Sequence, residues 1–74
     1  MINVEIGQCL LKELLDQKRL TQQELAELTG FTKQDINGYV NNRRKMSLKT
    51  AKTISVALNC TIEELYVWTI QHNK

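Results

Sequence analysis

Only two residues, Gly30 and Phe31, stand between two helical patterns, and so short a gap forces a sharp turn between packed helices. Ahead of the gap, Thr21-Gln-Gln-Glu24 fits a capping box, in which a hydroxyl accepts from the third amide and the carboxylate reaches back. Leu25 and Leu28 follow at helical spacing. Behind the gap, Thr32-Lys-Gln-Asp35 is a weaker version of the same cap, leading into Ile36, Tyr39 and Val40. Ala26 lies four residues before Gly30 and Ile36 six after it. A small residue lets the helices cross closely, glycine supplies a left-handed turn, and a β-branched side chain packs beneath the crossing. Those requirements are met by a helix-turn-helix, whose second helix lies in the DNA major groove, and in part by an ordinary αα-hairpin.

The rest of the chain reads as helix too. Ile6, Leu10, Leu11, Leu14 and Leu15 predict a first helix over residues 4–18, with Asn3 as its cap. The second and third helices are expected at 22–29 and 32–41. Ser47 caps a fourth over 47–59, marked by Leu48, Ala51, Ile54, Ala57 and Leu58. Thr61-Ile-Glu-Glu64 caps a fifth, which Ile62, Leu65 and Tyr66 carry toward Ile70. No β-alternation competes over a long enough stretch. The expected fold is all-α, a bundle of five short helices forming one domain over residues 1–74.

With 74 residues, 42% of them hydrophobic and none of them proline, the chain has material for one small ordered domain and no separate sensing domain. No apolar run is long enough to span a bilayer, and Met1 to Glu5 lack the pattern of a secretory leader. A cytoplasmic, nucleoid-associated protein is expected. Cys9 and Cys60 lie among apolar neighbours and read as reduced core residues, and with His72 the single histidine no metal site is expected. There is no phosphate-binding glycine loop and no nucleophile-base set, so the chain is not expected to be an enzyme or to need a cofactor.

Charge is unevenly placed. Formal net charge is only +2, yet Lys33, Arg43, Arg44, Lys45, Lys49 and Lys52 face Asp35 alone within residues 32–53. The flanking stretches are slightly acidic. One basic segment on a near-neutral chain is the pattern of a polyanion-binding edge, and equally of a solvated loop and helix face.

The run Leu20-Thr-Gln-Gln-Glu-Leu-Ala-Glu-Leu-Thr-Gly-Phe-Thr-Lys-Gln-Asp-Ile-Asn37 resembles the Cro and phage-repressor type of helix-turn-helix regulator, of lambda-repressor-like fold. The resemblance continues through Asn41-Asn-Arg-Arg-Lys-Met-Ser-Leu48 and Ala57-Leu-Asn-Cys-Thr-Ile-Glu-Glu-Leu65, spanning residues 6–65. It implies a five-helix fold, sequence-specific binding to duplex DNA and transcriptional regulation, as in small repressors. Carried over position by position, it places Thr32, Lys33, Gln34 and Asn37 against base edges. Lysine suits guanine, and glutamine or asparagine suits adenine. It places Gln22, Asn41, Arg43, Arg44 and Lys45 against the DNA backbone.

Three positions depart from the family pattern. Leu15 and Val40 stand where relatives often pair Arg with Glu, an exchange of an ion pair for an apolar contact. Gly38 replaces a DNA-contacting side chain, which either admits close backbone approach or weakens base reading. Asn42 replaces the glycine of the following turn, where asparagine tolerates a left-handed conformation.

Relatives of this kind bind as dimers to half-sites about 34 Å apart. Tyr66, Trp68 and Ile70 extend past the family core and are expected either to form a homodimer contact, anchored by Trp68, or to fold back onto their own core. No small-molecule ligand or membrane partner is expected. The competing reading is a helix-turn-helix module that binds a protein, as an antirepressor or accessory subunit would.

Overall fold

The protein, described here over residues 1–72 by a computed structural model, begins and ends in β-structure. The order is β1 (Ile2–Cys9), α1 (Leu11–Lys18), α2 (Gln22–Thr29), α3 (Lys33–Val40), α4 (Leu48–Leu58), a 3-10 turn (Ile62–Leu65) and β2 (Tyr66–His72). The two strands pair antiparallel, with Ile2 opposite His72, Val4 opposite Ile70 and Ile6 opposite Trp68. The pairing shifts register between Ile6 and Cys9, where the ribbon meets the helices.

The expectation of an all-α, five-helix bundle is therefore overturned. Four α-helices carry a two-stranded ribbon, and the fold is α+β. The helix expected over residues 4–18 starts only at Leu11, and Asn3 is a strand residue rather than a cap. The physical reason lies in Ile2, Val4 and Ile6, which alternate at period two and are β-branched, with Gly7 weakening any helix through them. The fifth helix shrinks to one 3-10 turn, in which the Glu64 carboxylate accepts from the Thr61 N–H at 3.0 Å and from its hydroxyl at 3.1 Å. Beyond it Tyr66, Val67, Trp68, Thr69 and Ile70 are aromatic or β-branched, and all but Val67, which falls at the register shift, pair with residues of the first strand.

Elsewhere the local signals place the helices well. Thr21 closes a full capping box with Glu24, Thr32 accepts from the Asp35 N–H, and Ser47 accepts from the Thr50 N–H. Gly30 ends α2 at φ 79°, and its N–H donates to the Ala26 carbonyl at 2.9 Å. Helix α1 has no side-chain cap; instead the Leu10 N–H donates to the Leu65 carbonyl at 2.7 Å, fastening the start of α1 to the end of the 3-10 turn.

The core gathers Leu11, Leu25, Ile36, Ile54 and Leu65, all with no exposed surface, together with Leu58. Burying each such side chain contributes about 1.5–3 kcal/mol. Leu15 is buried and Val40 packs against the same apolar cluster, the two positions where relatives often pair Arg with Glu. Cys9 and Cys60 are free thiols, Cys9 buried with its pKa pushed up by desolvation. Two leucines assigned to the interior by periodicity lie outside it: Leu28 is 61% and Leu48 77% exposed. Helix α2 turns Leu25 and Ala26 inward instead, and Leu48 opens α4.

Candidate nucleic-acid interface

Helices α2 and α3 meet across the Gly30 turn, and Ala26 and Ile36 are both buried at their crossing. The Thr29 hydroxyl donates to the Leu25 carbonyl at 2.8 Å and accepts from the Phe31 N–H at 3.3 Å, which locks the turn. The next two residues after the Thr32 cap, Lys33 and Gln34, are exposed on the outer face of α3. With Asn37 and Arg43 they line a shallow hollow of about 250 Å³.

Asn37 is the hub of this face. Half-buried, it donates from Nδ2 to the Gln22 Oε1 at 3.4 Å, and its Oδ1 accepts from the Asn41 Nδ2 at 3.0 Å and from an Arg43 Nη. Four of the residues expected to contact DNA thus form one hydrogen-bonded set drawn from α2, α3 and the loop after it. Thr32 is exposed, with its hydroxyl oxygen already accepting the Asp35 N–H at 3.1 Å. Lys45 is exposed in the loop.

Arg44 is differently placed. Its Nη1 donates to the Asp35 Oδ1 at 2.7 Å, and its guanidinium carbon sits 5.4 Å from the Tyr39 ring centre. The Asp35 carboxyl is held below the usual carboxylate range, first by Arg44 and then by the Thr32 hydroxyl. This pairing neutralises the one acidic side chain within the basic segment.

Gly38 owes its place to Arg44 as well. It is buried, and a Cβ built there would lie 3.1 Å from the Arg44 Cδ. Glycine therefore makes room for the arginine stem that crosses α3. Its carbonyl also accepts from the N–H groups of Arg43, at 2.9 Å, and Arg44, at 3.3 Å. Together with the Asn42 N–H donating to the Tyr39 carbonyl at 3.1 Å, this is a Schellman motif with Asn42 in the left-handed position at φ 60°. The loop that carries Arg43, Arg44 and Lys45 therefore leaves α3 along a defined path. No sequence signal pointed to Asp35 or Tyr39 as partners of this loop, because both contacts depend on how the chain folds back after Asn42.

Of the residues after Leu65 expected to form a dimer contact, Tyr66 is buried and its hydroxyl accepts from the Met46 N–H at 3.0 Å. Trp68 is half-buried, donates from its indole N–H to the Glu63 carbonyl at 3.1 Å, and stacks edge-on against Tyr66. Ile70 is 59% exposed.

The model of the Cro/C1-type HTH DNA-binding domain matches residues 10–71. Among curated proteins, the chain is 47% identical over 75 residues to the SPbeta prophage-derived HTH-type transcriptional regulator YopS of Bacillus subtilis (strain 168), covering 99% of this chain and 100% of that protein. It is 40% identical over 65 residues to a second SPbeta prophage-derived HTH-type transcriptional regulator of the same organism, YotL, covering 86% of this chain and 81% of that one. Among solved structures it resembles the restriction-modification controller protein C.AhdI of Aeromonas hydrophila, with a TM-score of 0.69 and 31% identity over 73% of this chain and 82% of that one. Among the described residues no helix is long and apolar enough to cross a membrane. A turn set by Gly30, a polar face organised around Asn37 and a match over most of its length lead to one conclusion: the chain belongs to the Cro/C1-type helix-turn-helix DNA-binding family.

Proposed function

We propose that this protein is a small transcriptional regulator of the prophage or bacterial repressor type that reads a duplex operator with α3 in the major groove. The observation that carries this reading is the linked set Gln22, Asn37, Asn41 and Arg43, which presents one ordered polar face beside the exposed Lys33 and Gln34. Lys33 and Gln34 are the most accessible base readers, with Thr32 at the helix start and Asn37 offering its remaining Nδ2 hydrogen. Gln22 at the start of α2, with Asn41, Arg43 and Lys45, holds phosphates. Arg44 joins them while also bracing α3 through Asp35.

One α3 spans only a few base pairs, so a homodimer on two half-sites about 34 Å apart gives the specificity a regulator needs. Selection from a pool of random duplexes with the untagged protein tests the reading. Enrichment of a two-fold symmetric motif with half-sites one helical turn apart is the expected result. Absence of enrichment, with no salt-dependent retention of any duplex, would refute it and favour a protein-binding module.

A further inference from the structure

Ile2, Val4 and Ile6 on β1 pair with His72, Ile70 and Trp68 on β2, so their side chains share one face of the ribbon. That face is apolar and open: Ile2 is 65%, Val4 51% and Ile6 46% exposed. A two-stranded ribbon is at best marginal in water unless a third strand or a helix covers its apolar face. Ile6 and Trp68 at the root of the ribbon border a hollow that also includes Leu48 and Ala51 of α4. Leu48 in turn opens a second, shallower groove of about 790 Å³, floored by Leu28, Val56 and Ala57 and edged by Lys49, Lys52 and Thr53. Leu48 borders both hollows and so joins the apolar face of the ribbon to the groove at the end of α2.

We propose that ribbon face and groove together are the self-association surface of the protein, with the ribbon of each copy lying in the Leu28–Val56 groove of the other. The inference deepens the dimer reading above and rests on it. Three features select a second copy as the occupant. This surface has a convex end, the ribbon, and a concave end, the groove, so a two-fold axis near its middle at Leu48 places each end on its complement. The exposed parts of Ile2, Val4, Ile6, Ile70, Leu28, Leu48 and Val56 offer roughly 800 Å² per copy, the area a stable interface buries per partner. The surface also leaves Lys33, Gln34 and Arg43 uncovered, since none of them borders either hollow. Trp68 is the floor of this contact rather than its tip, because its indole is already committed to Glu63 and Tyr66.

Sedimentation equilibrium of the whole chain without DNA provides the test. The wild-type chain should be a dimer, and Val4→Glu on the ribbon and Val56→Lys in the groove should each weaken it about tenfold or more. Mixing the two variants should restore dimer, because one contact then brings the two new opposite charges together and the other is unmodified. Val56→Lys lies on the exposed side of α4, so its effect is read without disturbing strand pairing. A wild-type monomer throughout, or a Val56→Lys dimer as tight as wild type, would overturn the proposal; the latter would mean ribbon against ribbon. Retention of single half-site duplexes by the monomeric variants is a separate readout. Its loss in every form, wild type included, would indict the DNA-binding reading and leave the dimer surface standing.

Discussion

The backbone N–H of Cys9, at the end of the first strand, donates to the side-chain oxygen of Asn42 at 2.7 Å across 33 positions of sequence. Asn42 therefore does two jobs: it takes the left-handed conformation that ends α3, and it ties the basic loop after α3 to the root of the ribbon. Tyr66 makes the matching tie from β2 through the Met46 N–H. The two strands of the ribbon thus bracket the loop bearing Arg43, Arg44 and Lys45.

The two roles of Asn42 separate in a substitution series followed by urea unfolding. Asn42→Gly keeps the backbone and loses the acceptor, for a cost of about 1 kcal/mol. Asn42→Ala loses the acceptor and adds about 1 kcal/mol or more of left-handed strain. Asn42→Asp, which retains both properties, should stay nearest to wild type. Equal losses for the Gly and Ala variants would show that the conformation contributes nothing.

Asp35 supplies a pH dependence of known sign. Its pKa is depressed in the folded protein, so the stabilisation it brings is complete above the unfolded carboxylate value and is lost as pH falls through the folded one. Carboxyl-carbon NMR should find its inflection below the ordinary 3.8, and Arg44→Ala should raise it part of the way, with the Thr32 contribution remaining. An inflection unmoved by Arg44→Ala would mean that the ion pair does not persist in solution.

Gly38→Ala tests how tightly the Arg44 stem lies on α3. An open helical site gains about 1 kcal/mol from this exchange. Here the new methyl meets the Arg44 Cδ at 3.1 Å, so the gain in thermal stability should fall short of that and the Asp35 inflection should move upward. A full gain with an unchanged inflection would place Arg44 elsewhere.

DNA binding should divide along the same geometry. Lys33→Ala should relax sequence preference and cost about 1–3 kcal/mol at the selected site. Arg43→Ala and Lys45→Ala should weaken all duplexes alike and lower the salt slope by about one each. Asn37→Ala should do some of both, because it frees Gln22 and Arg43 as well as removing an amide. If Lys33→Ala weakens every duplex equally, α3 is not the reader.

The helix-turn-helix was legible because its determinants are local. The Thr21, Thr32 and Ser47 caps each bond to an amide three residues on, and Gly30 bonds back four to Ala26, so spacing alone displays them. The polar face of α3 was legible for the same reason: residues 33, 34 and 37 share one side of a capped helix. The alternation of Ile2, Val4 and Ile6 was also present, but it competed with Leu10, Leu11, Leu14 and Leu15, whose helical spacing absorbed it into one long helix.

What the sequence by itself determined is therefore the order and capping of α2, α3 and α4, the turn at Gly30 and the placement of positive charge beside them. Tertiary structure decided the two ends, because Val4 finds Ile70 and Ile6 finds Trp68 only when chain segments some sixty positions apart come together. It also decided that Asn42 holds Cys9, and that Leu28 and Leu48 face outward. Each of these rests on a partner remote in sequence or on the rotation of a helix about its axis. Local propensity encodes neither, and only the closed fold specifies them.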